Sequence, residues 1–159
     1  MGDRLTIEFI DRDDPRISQL QPLFKEYYRS MAQKDLMMDL VENGDDLWVD
    51  GVRKGLGRFS QIAAAIDGDS IVGFIVGYLK ITPSHLGSRV VGYIDALFVK
   101  EEYRKGPIVL ILYKKLLTWF SEKKVHSLEM QVLVENEDVW MMWEKLGFRR
   151  ELFQLRKLL

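Results

Sequence analysis

The sequence predicts an α/β fold: a mixed, mostly antiparallel central sheet flanked by helices, in the order β-αα-βββ-α-β-α-β. Three observations carry this. Two β-branched runs, residues 59–66 and 70–81, are joined by Asp67-Gly68-Asp69, a strong hairpin signal. Segments of helical period stand before and after that hairpin, and a strand-like run separates the last two of them. Pro15 and Gly147 stand where a helix opens and where one closes. Elements ordered in this way build an α/β domain on a mixed sheet.

Residues 6–10 alternate in polarity and read as the first strand. Asp14-Pro15 supplies an N-cap followed by proline at the first helical position. The helix it opens sets Ile17, Leu20, Phe24 and Tyr27 on one face. A second helix is expected over residues 34–42, with Leu36 and Leu40 inward and Asp35, Asp39 and Glu42 along another side. A third, short helix over 46–56 ends near Gly57. The hairpin follows, then a loop over 82–88 containing Pro83 and Gly87. Residues 90–99 read as a strand, 100–106 as a polar turn, and 107–124 as a helix with Ile108, Leu112, Leu116 and Trp119 near one face. A strand over 127–134, a helix over 136–146 closed by Gly147, and a last strand within 148–159 complete the sheet.

A chain of 159 residues suits one domain, spanning 1–159, with a real core. Its net charge of −1 gives no global reason to expect nucleic acid or an anionic membrane as partner. Cysteine is absent, which excludes disulfides, thiolate metal sites and a cysteine nucleophile. His85 and His126 lie far apart without ligand-like company, so no metal site is expected. The first nine residues already carry Asp3, Arg4 and Glu8, unlike a signal peptide. No apolar run reaches the ~20 residues of a membrane span. The expectation is a cytoplasmic protein.

Two segments carry a family resemblance. The first runs Tyr93-Ile94-Asp95-Ala96-Leu97-Phe98-Val99, then Lys100-Glu101-Glu102-Tyr103-Arg104-Lys105-Gly106-Pro107-Ile108-Val109. The second runs from Asn136 through Trp143-Glu144-Lys145-Leu146 to Gly147-Phe148. Together with the element order, they resemble the GNAT (GCN5-related) N-acetyltransferases: a central strand, an Arg-x-x-Gly-x-Gly/Ala turn, a helix, and later an Asn-(six residues)-Tyr-Glu-Lys-Leu-Gly-Phe stretch. The physics of the first segment stands without the family. A strand that turns tightly into a helix gathers unpaired N–H groups and the positive end of the helix dipole, which suits a phosphate. Arg104 and Lys105 add full charges there.

The resemblance implies acetyl-CoA (coenzyme A) as cosubstrate, with its pyrophosphate on residues 104–109: Arg104, Lys105, Gly106, Pro107, Ile108 and Val109. It also implies that the pantetheine arm pairs with main chain at Leu97, Phe98 and Val99 like an added strand, and that Asn136 and Trp143 border it. The chain departs from the pattern at three positions. Pro107 replaces the first motif glycine and offers no N–H, while Val109 adds bulk at the second. Trp143 replaces a tyrosine that in this family often serves as general acid, and an indole N–H does not deliver a proton at neutral pH.

The implied reaction is direct attack of a primary amine on an acyl thioester in a ternary complex. The amine must first lose a proton that it holds firmly at neutral pH. Asp95, an acidic residue inside an otherwise apolar strand, is the candidate base; a structural carboxylate bonded to nearby main chain is the alternative reading. An amide near Val99 is the expected oxyanion donor. Tyr103 is a candidate acid in place of the missing tyrosine. Glu129 and Gln131, on alternate positions of the next strand, are candidates to hold a water chain. For Asn136, helix capping is an equally good account.

The expected acceptor is a small-molecule or peptide amine, cationic if the acidic stripe Asp35, Asp39 and Glu42 faces it; a solvated helix face is the alternative. Tyr27, Tyr28, Met31, Met37, Met38 and Trp48 could line a pocket or belong to the core. The three departures motivate a second functional reading, a non-catalytic acyl-CoA-binding or sensor domain. An apolar end at 153–159 leaves a homodimer open.

Overall fold

The computed structural model describes residues 4–159; Asp3 and the two residues before it, used above against a leader, lie outside them. Five strands form one sheet in chain order: β1 (Leu5–Phe9), β2 (Ser60–Asp67), β3 (Ser70–Ile81), β4 (Val90–Val99) and β5 (Leu128–Met130). β1 to β4 are antiparallel neighbours, and β5 runs parallel to β4. The helices are α1 (Leu20–Ala32), α2 (Gly44–Gly55), α3 (Ile108–Glu122) and α4 (Glu137–Lys145). None of them is long and apolar enough to cross a membrane.

Alternation along the strands sends side chains to two cores. On one face Ile62, Ala64, Phe74, Val76, Ala96 and Phe98 meet Ile17, Leu20, Leu23, Val49 and Val52. On the other, Ala63, Ala65, Ile75, Ile94 and Val99 meet Ile108, Leu112, Leu116, Trp119 and Phe120 of α3, with Trp143 of α4. Gly77 and Gly92 let α3 approach closely. A Cβ at Gly92 would sit 2.6 Å from Leu128 Cδ2 and 2.7 Å from the Phe120 ring. Gly92→Val is therefore expected to cost about 1–3 kcal/mol, read by chemical denaturation.

The first helix opens as its sequence says. Asp14 Oδ1 accepts from Arg16 N–H at 2.9 Å, and a 3-10 turn (Pro15–Gln19) leads into α1. Two expectations fail. Residues 34–42 are not helical: α1 stops at Ala32, and Asp35 takes the left-handed conformation (φ 63°), which ends helix propagation. The Tyr28 hydroxyl donates to the Met38 carbonyl, Met37 and Met38 stay exposed, and Leu36 and Leu40, expected inward, are only half-buried. The acidic stripe is thereby dispersed.

The last strand is also absent. β5 pairs with β4 over only three residues, so the sheet offers little edge on which to continue. Residues 149–159 form no strand, and Leu152, Phe153 and Leu155 remain exposed. Apolar residues favour a strand only where a pleated neighbour receives them.

Candidate active site

β4 carries the site because its pairing slips once. Val76 of β3 stands opposite Ala96 and Gly77 opposite Ile94, which leaves Asp95 as the extra residue of a β-bulge. The slip turns Asp95 and Ala96 to the same side of the sheet. Ala96 and Phe98 pack towards α1 and α2, while Ile94 and Val99 pack towards α3. Asp95 thus faces α2, where Trp48 donates Nε1–H to its Oδ2 at 2.9 Å.

Aromatic rings from four elements surround this carboxylate. Trp48 stacks on Phe24 with ring centroids 4.1 Å apart, and Tyr27 and Tyr78 pack beside it. Tyr93, the cross-strand partner of Tyr78, completes the wall and donates its hydroxyl to Gln131 Oε1 at 3.2 Å. Burial raises the Asp95 pKa above the usual carboxylate range; the Trp48 hydrogen bond and the Lys80 charge pull the other way. Burial likewise pushes up the phenols of Tyr27, Tyr78 and Tyr93, and the Asp95 charge adds to it. These phenols therefore stay neutral at ordinary pH, and Asp95 is the group that can exchange a proton.

Beyond Ile94, β4 and β5 part. Lys100 N–H bonds the Val72 carbonyl at 2.8 Å, so the alternation of an antiparallel ladder turns the peptide groups of Val99, and of Leu97 before it, away from β3. These edge groups open onto the gap between the strands. Arg104 Nε donates to the Val99 carbonyl at 2.7 Å, and its guanidinium lies 5.4 Å from the Phe98 ring centroid. The turn then reaches α3, whose first internal hydrogen bond runs from Ile111 N–H to the Pro107 carbonyl. The amides of Ile108, Val109 and Leu110 precede that bond and have no partner within the helix.

The departures read from the sequence take a definite form here. Pro107 is the N-cap residue of α3, so its missing N–H leaves the first-turn amides intact. Val109 packs against the α3 core, as does the fully buried Ile108. Lys105 is exposed and Gly106 half-buried at the turn. Trp143 is only 4% exposed, edge-on to Tyr113 and Phe148 with centroids 5.3 Å from each, and is part of the core. Asn136 stands at the N-cap of α4 without a side-chain capping bond; its Oδ1 accepts from Lys34 Nζ at 2.7 Å.

Tyr103 does not join Asp95. Its hydroxyl donates to Asp67 Oδ2 at 2.8 Å, at the β2–β3 turn. Asp67 pairs with Ser70, and Asp95 lies opposite Val76 and Gly77, which places about 20 Å of strand between them. Glu129 and Gln131 do join the Asp95 side, through the Tyr93–Glu129 pairing and the Tyr93–Gln131 hydrogen bond. The sequence reading passed over Tyr78 and Lys80. Amphipathic and polar residues at alternate positions near the end of the second hairpin strand (Tyr78, Lys80) are the signal available.

Residues 17–148 match the model of the Acetyltransferase (GNAT) family. The chain belongs to this family. Its fold is shared with solved structures at low identity. A tetramutant of a Bacillus halodurans protein superposes with a TM-score of 0.77 at 18% identity, covering 97% of this chain and 99% of that one. A ribosomal-protein-alanine N-acetyltransferase from Brucella melitensis gives 0.71 at 17%, covering 98% and 99%. An aminoglycoside N-acetyltransferase in complex with CoA gives 0.77 at 14%, covering 99% and 97%. No curated protein sequence matches the chain.

Proposed function

We propose that this GNAT chain is an N-acyltransferase that moves an acetyl or other acyl group from acyl-CoA to a primary amine by direct attack in a ternary complex. The observation that carries the reading is Asp95. A carboxylate with a raised pKa sits on a bulge of β4, in an aromatic recess, next to the stretch where the strand loses its neighbour. A purely structural aspartate would gain nothing from that desolvation.

The residues fit acyl-CoA, because hydrogen-bond donors are left over where the cosubstrate needs them. Ile108, Val109 and Leu110 amides, with Lys105, would hold its phosphates. The outward N–H and carbonyl of Leu97, with the Val99 carbonyl that Arg104 also contacts, would hold the amide-bearing arm as a strand edge does, and Asn136 would add its Nδ2. Acyl-CoA would supply the activated carbonyl. As the amine nitrogen bonds to it the C–S bond would break, the sulfur leaving as thiolate and taking up the second proton that the new amide nitrogen loses. Asp95 takes the ammonium proton at Oδ1, the oxygen that Trp48 leaves free, and the surrounding rings keep competing water out. The Val99 N–H is the donor we assign to the acyl oxygen as it gains charge. Tyr103 and Trp143 are given no proton-transfer role, because one is held at Asp67 and the other is buried.

The test follows free thiol on incubation with acyl-CoAs and a panel of amines, with release expected only when both are present. A second reading, a non-catalytic acyl-CoA-binding domain, is favoured by the buried Trp143 and predicts calorimetric binding without release. A melting temperature that CoA leaves unchanged would remove both readings.

A further inference from the structure

The acceptor recess extends past Asp95 along the sheet. Cross-strand partners share a face, so Tyr78, Tyr93 and Glu129 form one row across β3, β4 and β5. Lys80, two residues after Tyr78, lies on the same face. Its ammonium stands 3.9 Å from the Tyr93 ring centroid and 3.0 Å from Glu129 Oε1. Its charge also reaches Asp95. The chain thus places an alkylammonium of its own in the recess, on an aromatic face, against one carboxylate and within range of a second.

That ion pair is easily opened. The Lys80 and Glu129 side chains are 51% and 52% exposed, and exposed pairs of this kind hold little energy. Behind it, Glu129 borders a cleft of ≈ 640 Å³ whose walls include Thr82, His85, Arg89, His126 and Ser127. Lys80 therefore stands between the Asp95 recess and a roomy, solvent-accessible cleft.

We propose, on the basis of the transferase reading, that the acceptor is an unbranched aliphatic diamine. One terminal amine reaches Asp95, and the second ammonium takes the place of Lys80 on Tyr93 and Glu129. Asp95 lies two residues along β4 from Tyr93, about 7 Å, a distance matched to a flexible stem like lysine's four carbons. A monoamine would leave Glu129 to Lys80. An anionic acceptor would face both carboxylates. A longer polyamine would bring its third ammonium towards Arg89, which meets His126 at the far end of the cleft.

The experiment compares kcat/KM for a linear diamine and for the monoamine of equal chain length. The wild type is expected to favour the diamine only about two- to threefold, because Lys80 gives up the same contacts. The full preference of about tenfold, the combined worth of one cation–π contact and one exposed ion pair, is expected in Lys80→Met. Lys80→Met removes the resident competitor and should lower KM for the diamine several-fold with little change in kcat, a gain that damage to the fold would not produce. Glu129→Gln should bring the diamine-to-monoamine ratio close to one. Equal kcat/KM for the two amines in Lys80→Met, or a higher diamine KM there than in the wild type, overturns the diamine proposal and leaves the transferase reading standing. If no amine is turned over, the transferase reading fails, and calorimetry with the same two amines decides the recess separately. Selective diamine binding that Glu129→Gln abolishes supports the proposal; equal or absent binding overturns it.

Discussion

Asp95→Asn is expected to lower kcat/KM for amine acylation by about 10²–10⁴-fold, the range for removal of a positioned general base, while the protein stays folded. Asparagine keeps an oxygen for the Trp48 N–H and fits the same bulge, so the geometry survives and only proton acceptance is lost. Stability should move the other way. Burial holds the Asp95 pKa above its unfolded value. Between those two values the native state binds more protons, so stability falls as pH rises through the window and stays reduced above it. Removing the charge relieves that loss at neutral pH. An unchanged or higher melting temperature together with deep loss of turnover is the expected pair of results, and it is the trade seen at sites built for function. A variant that keeps full turnover would return Asp95 to a structural role.

The pH profile gives the same assignment an independent reading. With Asp95 as base to a bound ammonium, kcat/KM should rise with pH through the raised Asp95 pKa and then hold until the free ammonium itself deprotonates. The Trp48 hydrogen bond lowers that pKa against the pull of burial. Trp48→Phe keeps a ring on Phe24 and removes the donor, so the acid limb should move to higher pH. A limb that stays in place would assign it to another group.

Much of the fold was legible because local chemistry and tertiary structure agree. The Asp-Gly-Asp turn joins two antiparallel strands, with Asp67 opposite Ser70, and Asp14 caps its turn with its own side chain. The failures share one cause. Residues 34–42 and 148–159 carry the residue types of a helix and a strand, but neither finds a surface on which to bury a face. No local pattern reports that absence. The site was half legible. An acidic residue in an apolar strand marked Asp95, and the polar turn before α3 marked a set of free amides. The bulge that aims Asp95 at α2 depends on how β3 registers against β4. The aromatic recess draws Tyr27, Trp48, Tyr78 and Tyr93 from four separate elements, so only the folded chain brings them together. The same holds for Asn136 and Lys34, whose contact joins positions 102 residues apart.

Phe120→Ala is expected to destabilise the protein by about 3–5 kcal/mol, the cost of emptying a buried aromatic site. Phe120 is 1% exposed, and its ring fills the space that two glycines leave beneath the sheet. A Cβ at Gly77 would lie 2.6 Å from Phe120 Cζ, and Gly77 stands opposite Ile94, next to the bulge. The ring therefore supports the sheet from the face opposite Asp95. This makes a sharper test available than the loss alone. Gly77→Ala should destabilise the wild type, because its new methyl meets a rigid ring. In the Phe120→Ala background the ring is gone and the nearest obstacle is Leu116 Cδ2 at 3.1 Å, the far end of a flexible side chain. There the same substitution should be neutral or stabilising, with a coupling of about 0.5–3 kcal/mol between the two sites. Additive costs in the double variant would mean that Gly77 answers to strand pairing and not to the ring. Coupling would show that the Phe120 ring of α3 sets how closely the helix approaches the sheet at Gly77, beside the bulge that holds Asp95.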